Sequence, residues 1–170
     1  MKVADLSEFW RDQKKIVLCD PNILGCKDHE ELLEQIISTK ADIDFNQGLD
    51  VRFITDDNLR LLSKIKMREL HLAWDRYVDK EQILPLLGKV RSCLSIHPHR
   101  LVVYVLCNYD SNIGQDLERI YTLRDMGFAP YVMLYNKQDI PRGHDLMRLQ
   151  RWVNNRYVFW RTERFEEYDA

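Results

Sequence analysis

The residues able to do chemistry sit just after five short apolar runs. Asp20 and Asn22 follow "KIVLC", while Asn46, Gln47, Asp50 and Arg52 follow "DIDF". Asp75 and Arg76 follow "ELHLAW", Asn108, Tyr109 and Asp110 follow "RLVVYVLC", and Asn136, Lys137 and Gln138 follow "PYVMLY". Carboxylates and side-chain amides in this mixture accept and donate hydrogen bonds, which is the chemistry of holding a polar small molecule. No catalytic residue is assigned.

Two stronger motifs fail on their partners. Asn136-Lys137-Gln138-Asp139 spells the guanine-reading box of small GTPases. That box works only beside a G-x-x-x-x-G-K-[ST] loop whose amides cradle phosphate. The Gly88-Lys89 pair is followed by Val90 and carries Ile83 where the first glycine is required. The stretch "IVLCDPN" similarly resembles the phospho-acceptor strand of a receiver domain, but the preceding "RDQKK" lacks the acidic pair that would hold magnesium.

Composition narrows the classes further. The chain has 170 residues, with 25 Lys and Arg against 27 Asp and Glu, for a net charge of -2. Such a balance gives no electrostatic reason for nucleic acid or an anionic membrane as partner. No apolar run approaches the ~20 residues that span a bilayer, and "MKVADLSEFWRDQKK" carries acids and lacks a signal-peptide core, so the expected compartment is the cytoplasm. Cys19, Cys26, Cys93 and Cys107 show no paired spacing, which predicts reduced thiols in the core and neither a disulfide framework nor a zinc site.

The elements that must position the polar residues follow from the apolar pattern. Strands are expected to start near residues 16, 43, 69, 100 and 130, with amphipathic helices over 28–39, 55–66, 79–95, 114–126 and 145–156. Asp28 and Thr55 are candidate N-caps and Gly127 a candidate C-cap. The unbroken run "LVVYVL" reads as a strand covered on both faces, which favours a parallel sheet. The expected fold class is therefore α/β, with five consecutive βα units in one domain over 1–170: a lead-in over 1–14, units over 15–157 and a tail over 158–170. Five units cannot close an eight-unit barrel of about 250 residues, so the sheet is either open and doubly wound or an arc of a partial, TIM-like (β/α) barrel. An arc leaves sheet edges through which copies could associate, and Phe9, Trp10, Phe159 and Trp160 are candidate anchors for that. His71 reads as a core histidine, Trp74 as core or pocket wall, His97 and His99 as lying at the wrong end of the sheet, and Arg148, Arg151 and Arg156 as a solvated helix face.

The stretches "FWRDQKKIVLCDPNIL", "DFNQGLDVRFITDDNLRLLSKI" and "LHLAWDR" together resemble the later strands of radical S-adenosylmethionine (radical SAM) enzymes. The order of elements is similar from about residue 5 to 165. The resemblance implies a partial barrel of which these are strands two to six, with S-adenosylmethionine and a 4Fe-4S cluster as the family's cofactors. By position it implies that Asp20, Asn22, Asn46, Gln47, Asp50, Asp75, Asn108, Tyr109 and Asn136 bind the cofactor or substrate, the carboxylates suiting ribose hydroxyls or an α-ammonium and the amides an adenine edge. The family's C-x-x-x-C-x-x-C cluster loop has no counterpart here, so no metal ligands are assigned. What is implied is a truncated, split or degenerate enzyme domain, inactive alone, with the loop supplied by a separate chain or an upstream segment. The other reading is a non-catalytic α/β binding or interaction module with a ligand pocket at the strand ends.

Overall fold

A computed structural model describes residues 4–20 and 22–169. The chain alternates strand and helix: β1 (Lys15–Leu18), α1 (His29–Thr39), β2 (Asp42–Phe45), β3 (Leu49–Asp50) and α2 (Asp56–Leu62). It continues with β4 (Leu70–Trp74), α3 (Lys80–Cys93), β5 (Leu101–Cys107), α4 (Ile113–Asp125), β6 (Ala129–Leu134), α5 (Asp145–Asn154) and α6 (Arg156–Arg161). Every paired strand is parallel. β1 pairs with β2, and β3, β4, β5 and β6 lie side by side in sequence order, so the class is α/β with parallel sheets. A single parallel bridge between Ile43 and Met67 brings β2 toward the segment that leads into β4.

Local sequence explains the helix ends. Thr55 Oγ1 accepts from the Asn58 N–H at 3.1 Å while the Asn58 Oδ1 accepts from the Thr55 N–H at 2.9 Å, a reciprocal cap that satisfies donors left free at a helix start. Asn58 is fully buried and also donates to the Phe53 carbonyl at 2.8 Å, so this cap doubles as a buried brace. Asn112 and Gln115 cap α4 in the same reciprocal way, and Gly127, at φ +79°, ends it in the left-handed conformation that glycine adopts without a Cβ penalty.

The helices put their buried residues into one apolar cluster with one face of the sheet: Leu70, Leu72 and Trp74 of β4, Leu101, Val103, Val105 and Cys107 of β5, and Val132 of β6. Each fully buried Leu or Val contributes about 1.5–3 kcal/mol relative to exposure. The alternate residues on the same strands point away from this cluster. His71, Ala73 and Tyr104 are only half-buried, and Tyr131 and Met133 are exposed. The expectation of a sheet covered on both faces is therefore corrected: one face is packed and the other is open, although Val102 and its register partner Ala129 are buried on that open side.

The tail also differs from expectation. Phe159 is 1% exposed and belongs to the core cluster, and Trp160 stacks on His99 at 4.6 Å, so neither is free to anchor a partner. Arg124 explains this: its guanidinium lies 3.8 Å from the Phe159 ring centroid and donates to the Phe159, Thr162 and Glu163 carbonyls. Among the described residues no helix is long and apolar enough to cross a membrane.

Candidate functional site

The open face of the sheet forms a groove of about 650 Å³. Its upper rim comes from the loops after β1, β2 and β4 and from the end of β3, which bring together five of the residues singled out in the sequence: Asn22, Asn46, Gln47, Asp50 and Asp75. The loop after β2 reaches the groove because Gly48 turns at φ +82°; a Cβ there would stand 3.3 Å from the His71 carbonyl, so close approach and backbone conformation both require glycine.

The other four residues lie outside that lining. The Asp20 carboxylate accepts from the Asn22 N–H at 2.9 Å, a bond that helps to place Asn22. Asn108, at φ +63°, donates to the Tyr135 carbonyl at 3.3 Å and ties the ends of β5 and β6 together. Tyr109 meets Tyr135 edge to face at 5.0 Å, and Asn136, at φ +46°, starts a short turn over Lys137–Asp139. These positions shape turns at the end of the sheet.

Charge is unevenly distributed along the rim. Arg52 grips Asp50 with a fork, Nε to Oδ1 at 3.0 Å and Nη2 to Oδ2 at 2.7 Å, and its backbone N–H donates to the same carboxylate. Burial pushes the Asp50 carboxyl up, but the Arg52 hydrogen bonds and charge outweigh it, and the group ends below the usual carboxylate range. Asp75 goes the other way. The residue as a whole is exposed, yet the carboxyl is crowded by the groove wall; that desolvation, then the Asp50 charge, raises its pKa. Two neighbouring carboxylates are thus driven apart, one fixed and ionised, the other without a hydrogen-bonding partner among the described residues and able to hold a proton more readily.

Asp75 is placed from behind by a buried ion pair. Arg119 and Asp116 are both fully buried, joined at 2.6 Å. Arg119 Nη1 donates to the Trp74 and Asp75 carbonyls at 2.9 and 3.1 Å, and Nη2 donates to the Leu106 carbonyl at 2.8 Å, while Ser111 Oγ donates to Asp116 Oδ1. One guanidinium therefore clamps the ends of β4 and β5 beneath the groove, a role that its place on an ordinary amphipathic helix did not disclose.

The floor and far wall are aromatic. His71 stacks on Tyr104 with ring centroids 5.3 Å apart, and Tyr104 meets Tyr131 edge to face at 5.7 Å. The floor is closed by Arg156, which pairs with Glu69 and donates to the His99 carbonyl at 3.1 Å. His71 is thus a groove residue and not a core one, and Arg156, exposed as expected, is nevertheless held by Glu69 and the His99 carbonyl. Arg148 leaves the solvated face, since it bonds the Phe165 and Tyr168 carbonyls of the tail, while Arg151 stays exposed. Two buried polar atoms bordering the groove, Asn22 Oδ1 and His71 Nδ1, have no hydrogen-bond partner among the described residues. Such atoms cost free energy unless something meets them. His71, Tyr104, Tyr131 and Met133 face the groove because each is one residue out of step with the buried series, an alternation that the unbroken apolar runs conceal.

No family model, curated protein or solved structure matches this chain. The site must therefore be judged on its own chemistry. Of the cysteines, Cys19 and Cys93 are exposed, Cys26 is half-buried, and Cys107 is buried on the packed face with its thiol pushed well up by burial. Iron-sulfur clusters need converging thiolates, and among the described residues no group of three His, Cys, Asp or Glu is placed to hold a metal ion. The residues present do not fit a 4Fe-4S cluster.

Proposed function

We propose that the chain is a ligand-binding arc of a (β/α) barrel, built of five βα units in a single domain and of radical SAM type, that supplies the S-adenosylmethionine or substrate-binding strand ends without generating a radical itself. The arc is supported by strands that follow sequence order and by helices that share one cluster with one face of the sheet, as the wall of a barrel would. A separate chain or segment bearing the cluster loop belongs to the same reading, as does a cytoplasmic setting, which the unpaired thiols favour.

One observation carries the binding function: five carboxylates and amides at the strand ends converge with a His71–Tyr104 stack on one groove of about 650 Å³, a size typical of small-ligand sites. Such a groove suits a ligand with a cationic or hydroxyl-bearing part and a planar part. Asp75 and Asp50 would accept from ribose hydroxyls or an α-ammonium, Asn46 and Gln47 would offer amides to a base edge, and the ring stack would offer a flat apolar surface. S-Adenosylmethionine has all of these features. The chemistry it supplies when bound in such enzymes depends on a cluster, so the residues of this chain are assigned binding and orientation only.

Isothermal titration calorimetry of the purified chain with S-adenosylmethionine, and with S-adenosylhomocysteine as the uncharged-sulfur control, tests this. Saturable one-to-one binding is expected, weakened at least about tenfold by Asp75→Asn. Absence of binding to either compound, or binding indifferent to Asp75→Asn and to His71→Ala, would contradict the assignment.

A further inference from the structure

The groove has a pit in its floor, and the strand register explains it. Asp50 of β3 pairs with Ala73 of β4, Ala73 with Tyr104 of β5, and Tyr104 with Tyr131 of β6, and all of them line the groove. Register partners point to the same side of a sheet, so these residues form one row across the open face. Neighbouring strands stand about 4.8 Å apart, so the backbones that carry Asp50 and Tyr104 are about 10 Å apart, with only the Ala73 methyl group between them. Along β4 the same side carries His71 before Ala73 and Asp75 after it, each about 6.6 Å away. The pit over Ala73 is therefore walled by two carboxylates, Asp50 and Asp75, and by the rings of His71 and Tyr104.

The carboxylate walls differ in charge. Arg52 holds Asp50 through its backbone N–H, Nε and Nη2, so that wall is close to neutral. The Asp75 carboxylate makes no hydrogen bond or ion pair among the described residues, and Arg119 behind it is already matched by Asp116. One unbalanced negative charge faces the pit.

This combination selects among cations. A primary ammonium brings three N–H donors, and the pit offers one free carboxylate and two ring walls to receive them. An alkylated onium, a sulfonium or a quaternary ammonium, has no donor to satisfy. It needs a countercharge nearby and an aromatic surface within about 6 Å, which Asp75 and Tyr104 supply as the neighbours of Ala73 along and across the sheet.

We propose that the pit over Ala73 seats an alkylated onium centre of the ligand, with Asp75 as its countercharge, and that Ala73 sets this specificity by leaving the room. The inference rests on the binding reading above, under which the centre is the sulfonium. Asp75 keeps its lone pairs for hydroxyl donors, because an onium uses its charge and not its hydrogen bonds.

Calorimetric titration with S-adenosylmethionine and S-adenosylhomocysteine tests this, since the two differ by the methyl group that makes the sulfur an onium. The wild-type chain is expected to prefer the sulfonium at least about tenfold. Ala73→Val adds two methyl groups to the pit on the open face of a strand, where valine is well tolerated, so circular dichroism and melting are expected to stay as in wild type. Its preference is expected to fall to about twofold or less. Asp75→Asn keeps the shape and removes the countercharge, and is expected to erase the preference by weakening the sulfonium compound more than the thioether. Equal affinity of the wild-type chain for the two compounds would overturn the inference and leave the binding reading standing. So would a preference that survives in either variant. Absence of binding to both compounds would remove the reading and the inference together.

Discussion

On the packed face Leu72, Trp74, Val103 and Val132 are at zero exposure, and the helices lie against them. One residue away along the same strands, His71, Ala73, Tyr104 and Met133 line an open groove instead. Strand geometry alone produces the contrast, because successive side chains leave opposite sides of the backbone. The difference teaches that stability and ligand chemistry are interleaved at a spacing of one residue, so neighbouring substitutions should separate them cleanly.

The largest effect belongs to the packed face. Trp74→Ala is expected to cost about 3–5 kcal/mol in chemical denaturation, because it empties a fully buried site whose indole N–H also donates to the Arg76 carbonyl. His71→Ala, three residues earlier and on the other face, is expected to cost about 1 kcal/mol or less while weakening ligand binding. Equal losses from the two would break the comparison.

Next comes the clamp between the faces. Arg119→Leu leaves Asp116 buried without its countercharge and is expected to cost about 3–5 kcal/mol, with much of the loss recovered when Asp116→Leu is added. Denaturation of the single and double variants decides whether the pair is needed for its charge or only for the space it fills.

Gly48→Ala sharpens the boundary of the groove. A side chain at φ +82°, facing the His71 carbonyl at 3.3 Å, is expected to cost about 1 kcal/mol and to displace Asn46 and Gln47, so its effect on binding should exceed its effect on melting.

The smallest effect is one of sign. Asp75 has a raised pKa in the folded chain, so its protonated form stabilises the fold below the ordinary carboxylate range and that contribution is lost as pH rises. Asp75→Asn is therefore expected to be slightly more stable than wild type at pH 7, by a few tenths of a kcal/mol for so exposed a residue, with the gain fading toward pH 4. Asp50, with its lowered pKa, has the opposite dependence: its contribution is present at neutral pH and is lost as pH falls through the folded value. Denaturation across that range separates the two carboxylates.

Much of this architecture is legible in the residues. The strand starts expected near 16, 43, 69, 100 and 130 fall at Lys15, Asp42, Leu70, Leu101 and Ala129, because each apolar run is bounded by polar residues, Gly or Pro. The two-residue β3 and the six-residue α6 are too short for a period to show. The rim residues Asn22, Asn46, Gln47, Asp50 and Asp75 could be read because polar groups stand out after apolar runs. The aromatic wall could not: in "LVVYVL" a tyrosine on the open face and valines on the packed face look alike, since both types favour strands. The fate of Phe159 and Trp160 was hidden for another reason. What folds the tail inward is Arg124 and Arg148 donating to its backbone carbonyls, and contacts over that sequence distance leave no periodic trace.

The claim that the open face is the binding face is tested most directly by ¹H–¹⁵N correlation spectra recorded during titration with S-adenosylmethionine. The account predicts that amide signals of Gln47, Asp75 and Met133 shift together while those of Leu62, Leu87 and Leu149, inside the helical layer, stay in place. Shifts confined to the helical layer, or no shifts at all, would contradict it.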